Sequence, residues 1–105
     1  MAADFLRQRG YKILFQRWRY GIYEIDIVAW HEGELAFVEV RTLTAGIPWH
    51  PEASISMRKQ KGLRRAIELF LAENPSYENL TARIDVVAVR TTQPVEVLVW
   101  VDAFR

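Results

Sequence analysis

Between residues 11 and 42 the chain mixes alternating apolar and polar positions with short apolar runs, as half-buried and buried strands do. The segments "YKILFQRW" (11–18), "YEIDIVAW" (23–30) and "LAFVEVRT" (35–42) each read as a strand. Tyr20 and Gly21 interrupt the first and second. "HEGE" separates the second and third by a turn short enough for a hairpin. Ahead of them, residues 2–9 predict a short helix closed by Gly10, a residue suited to the left-handed position after a helix end. After them, Gly46, Pro48 and Pro51 make 43–53 a loop. A helical period then takes over. Leu63, Ala66, Ile67, Phe70 and Leu71 share one stripe of a helix that starts near Ser54 or Ser56 and runs to about Glu73. "ARIDVVAV" (82–89) is apolar enough for a buried central strand, and "VEVLVWV" (95–101) follows a turn at 91–94. The predicted order is αβββαββ, an α/β fold with a mixed sheet flanked by helices.

One residue does not suit this pattern. Glu39 stands in the middle of "FVEVRT", and carboxylates are rarely buried without a partner. With the hairpin turn centred between Glu32 and Gly33, Asp26 falls opposite Glu39 and Glu24 opposite Arg41. Those four are expected to share one face, and Ile25, Ile27, Ala29, Ala36, Val38 and Val40 the other. Glu24 and Arg41 read as a cross-strand ion pair. Asp26 and Glu39 do not, because two carboxylates about 5 Å apart repel by roughly 3 kcal/mol at an effective dielectric near 20. A shared proton, a base such as Lys59 or a divalent cation could each offset that. Mg²⁺ or Mn²⁺ held by two acids beside a fixed positive charge would be an arrangement suited to cleaving phosphodiesters.

Composition narrows the chemistry. The chain has 105 residues, half of them apolar, and no Cys. A single domain with a substantial core is expected, without disulfides, thiolate zinc sites or thiol nucleophiles. No apolar run approaches the ~20 residues of a membrane span, and the N-terminal "MAADFLRQRG" does not read as a signal peptide, so a cytoplasmic location is expected. The net charge is only +1, but it is unevenly spread. Arg7, Arg9, Lys12, Arg17 and Arg19 precede an acidic centre, and Arg58, Lys59, Lys61, Arg64 and Arg65 follow it. Basic flanks around an acidic centre suit an anionic polymer gripped beside a cation site, or else a solvated surface. Bases at a helix N-terminus oppose its dipole, a cost that facing a phosphate backbone would offset.

Other residues read more plainly. His31, in the predicted turn, and His50 stand alone and read as surface residues. Trp18, Trp30, Trp49 and Trp100 read as packing residues, although Trp49 in its loop could stack on a base. Asp85, in "RIDVVAV", is expected to pair with Arg83 or a turn amide.

Taken together, "EIDIVA", "FVEVRT", "PEASISMRKQKGLRRA", "ARIDVVAV" and a terminal "DAF" closely resemble the YraN family. Its members look like small nucleases of the PD-(D/E)XK, restriction-endonuclease-like superfamily. The resemblance covers nearly the whole chain. It implies one endonuclease-like domain over 1–105, related to Holliday-junction resolvases and restriction enzymes. It also implies a divalent-metal site for Mg²⁺ or Mn²⁺ and DNA, including branched DNA, as substrate. Carried over residue by residue, the superfamily's Asp matches Asp26, and its E-x-K pair matches Glu39 and Arg41. A Gln often found on the following helix matches Gln60, and Glu24 lies in the family's "GEID" segment. Asp26 and Glu39 are the implied metal ligands. Where the superfamily has Lys this chain has Arg41, which cannot act as a base but can hold a phosphate. The first helix, starting at Met1, reads as truncated, without the Glu that related proteins carry ahead of "AADFL".

Two other readings stay open. One is a catalytically inactive module that binds nucleic acid on a nuclease fold. The other is a structural partner whose polar pocket serves assembly, as in a homodimer.

Overall fold

A computed structural model describes residues 1–44, 50 and 55–104. Its elements follow the expected order: α1 (Ala2–Gln8), β1 (Lys12–Tyr20), β2 (Tyr23–His31), β3 (Glu34–Leu43), α2 (Met57–Glu73), β4 (Ala82–Arg90) and β5 (Glu96–Trp100). A single 3-10 turn, Pro75–Tyr77, lies in the connection expected to be a loop. Among the described residues five strands form one sheet in chain order, and only the β3–β4 pair is parallel. This is the mixed α/β architecture that the period of the sequence predicts, and it is compatible with a restriction-endonuclease-like fold.

Local chemistry explains the boundaries. α1 ends where Gly10, at φ +88°, lets Tyr11 N–H reach Leu6 O and Gly10 N–H reach Arg7 O, both at 3.0 Å. Glu32 and Gly33 both have positive φ, so the second hairpin turns on two residues. That tight turn keeps His31 in β2, paired with Glu34. Ser56 caps α2 by accepting the Lys59 N–H at 3.2 Å. Ser54 and Trp49 fall outside the described residues.

The helices belong to opposite faces of the sheet. Leu63, Ala66 and Phe70 of α2 pack on Val28, Leu35, Phe37, Ile84 and Val86. Phe70 is the hub, meeting Phe15, Trp18 and Phe37 edge to face at 5.2, 5.3 and 5.4 Å. On the other face Leu6 of α1 covers Ile27, Ala29, Ala36, Val38, Val87 and Val89. Each fully buried aliphatic or aromatic side chain contributes about 1.5–3 kcal/mol of transfer free energy. These two layers therefore hold the strands in register.

The alternation of faces fails twice on the β1–β2 ribbon: a bulge shifts the register between Ile13 and Phe15, and a second break follows. Phe15 and Val28, a cross-strand pair, pack toward α2. Farther along the ribbon Trp18 and Ile25 also pack toward α2, where strict alternation would send them to the other face. Between these pairs stand Arg17, at φ 53°, and Asp26. The β1–β2 ribbon therefore reverses its faces at Arg17 and Asp26. This corrects the expected face for Ile25.

Candidate active site

The same place is where the sheet divides. Cross-strand pairing of β2 with β3 runs from His31–Glu34 to Ile27–Val38 and stops. Beyond it β2 stays paired with β1 as far as Tyr23, and β3 with β4 as far as Leu43. Asp26 and Glu39, the next residues on each side, stand in the fork. The Val40 N–H, which a continued ladder would use, donates instead to Asp26 Oδ2 at 2.8 Å. Strand N–H groups point along the sheet plane. The Asp26 carboxylate therefore lies between the strands, in the plane, rather than on the face that strict alternation assigns it.

Glu39 is almost fully buried, with its carboxyl beside that of Asp26. Burial, then hydrogen bonding with Asp26, then the Asp26 charge push its pKa up to about 7, against the pull of Lys59 and Arg41. Lys59 Nζ lies 3.6 Å from Glu39 Oε2. Of the three expected offsets for the acid pair, the lysine is in place, and the raised pKa of Glu39 favours a second, the proton.

The expected four-residue cluster is not formed as one unit. Glu24 pairs with Arg19 of β1, at 2.6 Å, instead of Arg41. Its register partner on β1 is Arg19, while the fork takes β3 out of reach. Arg41 acts on Glu39 through its charge, and its buried Nε has no hydrogen-bond partner among the described residues. Gln60 is buried with its amide donating to Ile55 O at 3.1 Å, so it secures the entry into α2.

A cleft of about 480 Å³ opens over Glu39, lined by Ile22, Tyr23, Glu24, Arg58 and Lys59 among others. On the other side of the fork Asp26 borders a cavity of about 320 Å³ with Gln16, Arg17, Glu24 and Val40. Of the five bases of α2, Arg58 and Lys59 line the cleft. Lys61, Arg64 and Arg65 are exposed; Arg65 lies 3.8 Å from Glu68, and Arg64 borders a different cavity with Phe37 and Ile84.

A second polar cluster lies at the opposite end of β2. Asp85 is fully buried and accepts from Tyr11 Oη at 2.7 Å, Arg83 Nε at 3.0 Å and the Asp102 N–H at 2.9 Å. Both partners expected for Asp85, Arg83 and an amide, are therefore present. Arg83 also reaches Glu34, His31 O and His31 Nδ1. His31 stacks on Tyr11 with ring centroids 3.8 Å apart, so it is not the surface residue its place beside the turn suggested. Burial, then the bond to Asp85, lifts the Tyr11 pKa to about 12. The signal in the sequence was an acid in an apolar run with a base two residues before it.

Among the described residues no group of three or more His, Asp or Glu gathers as a metal site. Asp26 and Glu39 nevertheless offer two hard oxygen donors, the donor type that suits a divalent cation.

The sequence profile of the Uncharacterised protein family UPF0102 matches residues 1–89. The chain belongs to this family. A UPF0102 protein of Roseiflexus castenholzii is 46% identical over 89 residues, covering 85% of this chain and 72% of the relative. UPF0102 proteins of Chloroherpeton thalassium and Chlorobaculum parvum are 39% and 42% identical over 89 and 91 residues, each covering 85% of this chain and 68% of the relative. The UPF0102 match spans α1 to β4 and so includes Asp26, Glu39, Arg41, Lys59 and Gln60. Among the described residues of this UPF0102 chain, no helix is long and apolar enough to cross a membrane.

Proposed function

We propose that this protein is a metal-dependent nuclease acting on DNA phosphodiester bonds, with Asp26 and Glu39 holding Mg²⁺ or Mn²⁺. The observation that carries this reading is the pair of acids in the sheet fork, Asp26 held by the Val40 N–H and Glu39 under a cleft lined by Arg58 and Lys59. A bound divalent cation would supply Lewis acidity toward the phosphate and an activated water. Arg58 and Lys59 attract the backbone into the cleft. Arg41 offers donors and no acceptor, so it stabilises charge and takes no proton from water. Gln60 keeps the start of α2 against the site. The resemblance to PD-(D/E)XK nucleases supports the same reading.

A second reading is a DNA-binding module without cleavage. It is favoured by the Lys59–Glu39 pair, which satisfies the acids without a metal.

Incubation of linear and branched duplexes with the protein and Mg²⁺ or Mn²⁺ separates the two. The nuclease reading expects cleavage that Asp26→Asn and Glu39→Gln each abolish, with DNA binding retained. Salt-dependent binding without cleavage supports the module. Each phosphate contact adds a slope of about −0.9 to log K against log salt, so Arg58→Ala flattens it by about one contact. Affinity indifferent to salt would count against both.

A further inference from the structure

Lys59 stands at the third position of α2, after the Ser56 cap. Helix starts favour Glu there, because its side chain can return to the cap N–H and because the helix end is positive. α2 has no acid in its first turn and carries Arg58 and Lys59 instead. Lys59 therefore gains nothing from its own helix. Its partner is across the cleft: the ammonium lies 3.6 Å from Glu39 Oε2, on a side chain still 52% exposed. One end of this ion pair is fixed in the sheet and the other is free to swing. Arg41, the other base acting on Glu39, has a buried Nε and lacks that freedom.

We propose that Lys59 is a displaceable counter-cation. With no divalent ion bound, its ammonium neutralises Glu39. A cation held by Asp26 and Glu39 repels it toward the DNA phosphate, so cation and DNA binding are coupled through this one side chain. The proposal rests on the metal-site reading above and adds a residue that carries the coupling.

The test is Lys59→Gln beside Lys61→Gln, which alters an exposed base on the same helix outside the cleft. Mn²⁺ affinity is measured by calorimetry without DNA. Affinity for a labelled duplex is then measured in EDTA and in Ca²⁺, with Ca²⁺ used to hold off cleavage. Lys59→Gln is expected to bind Mn²⁺ at least about fivefold more tightly, the lower end of usual coupling factors. Its gain in DNA affinity on adding Ca²⁺ should shrink by a similar factor. Lys61→Gln should leave both quantities at wild-type values. Mn²⁺ binding of equal strength in wild type and Lys59→Gln overturns the proposal and leaves the metal site standing. Tighter Mn²⁺ with an unchanged Ca²⁺ gain also overturns it, because nothing is then handed to phosphate. No Mn²⁺ binding by either protein overturns the metal site and the proposal together.

Discussion

Glu39 is a carboxyl group whose surroundings favour its neutral form, and this has a measurable sign. Its folded pKa, about 7, lies above the ordinary value of 4.5. Between those values the folded state binds more protons than the unfolded state, so stability falls as pH rises through that window. Above it the cost of ionising Glu39, which comes first from burial and then from Asp26, is fully present, on the order of 3 kcal/mol. Glu39→Gln, a neutral isostere, should therefore raise the melting temperature in EDTA at pH 8 and leave it nearly unchanged at pH 4.5. Thermal melts at the two pH values check this, and an equal shift at both would remove the ionisation of Glu39 as the cause. The meeting of Asp26 and Glu39 was legible because hairpin register follows from turn length. The partner of Glu24 was not, because a strand has two neighbours and the hairpin reading weighed only β3. His31 was misread because a two-residue turn leaves more of the chain in the strand than "HEGE" suggests.

The secondary-structure elements were legible nearly throughout, since each rests on local chemistry: apolar period, a glycine at a positive φ, a serine before a helix. The fork was not. A strand pattern shows which side chains face which layer, but not that a carboxylate will replace a main-chain carbonyl as the acceptor for Val40. Nor could alternation foresee the reversal at Arg17 and Asp26, which turns Ile25 toward α2. For α2 itself, the Ser56 hydroxyl is the cap on which the placement of Arg58 and Lys59 depends. Ser56→Ala should cost about 1 kcal/mol, read from urea unfolding midpoints. It should also weaken DNA binding if frayed first-turn bases no longer line the cleft.

Across the whole molecule, Asp85 joins parts of the chain far apart in sequence. Tyr11 precedes β1, Arg83 lies in β4 and Asp102 follows β5. The bond from Tyr11 to Asp85 spans 74 positions. The Ala103 N–H adds a bond to Ile84 O at 2.8 Å, which brings Phe104 into the α2-side core. Asp85→Ala leaves Arg83 buried beside a missing partner and should cost about 3–5 kcal/mol. Tyr11→Phe removes one neutral donor and should cost about 1 kcal/mol. Chemical denaturation of both variants checks the order, and equal costs would mean that Arg83 is compensated elsewhere.

The fork has a further consequence, for solubility. Where β2 and β3 separate, each leaves an inner edge with Ile25, Val38 and Val40 close by. Open edges near aliphatic residues are templates for pairing with another chain, and inward-pointing charges are a common guard against it. Asp26 and Glu39 occupy that opening, and Asp26 ties up the Val40 N–H that an added strand would use. Whatever chemistry the two acids perform, they stand where a guard against pairing with another copy would stand. A variant that makes both positions apolar removes the guard along with the site, and its lost activity would have to be weighed against its tendency to aggregate.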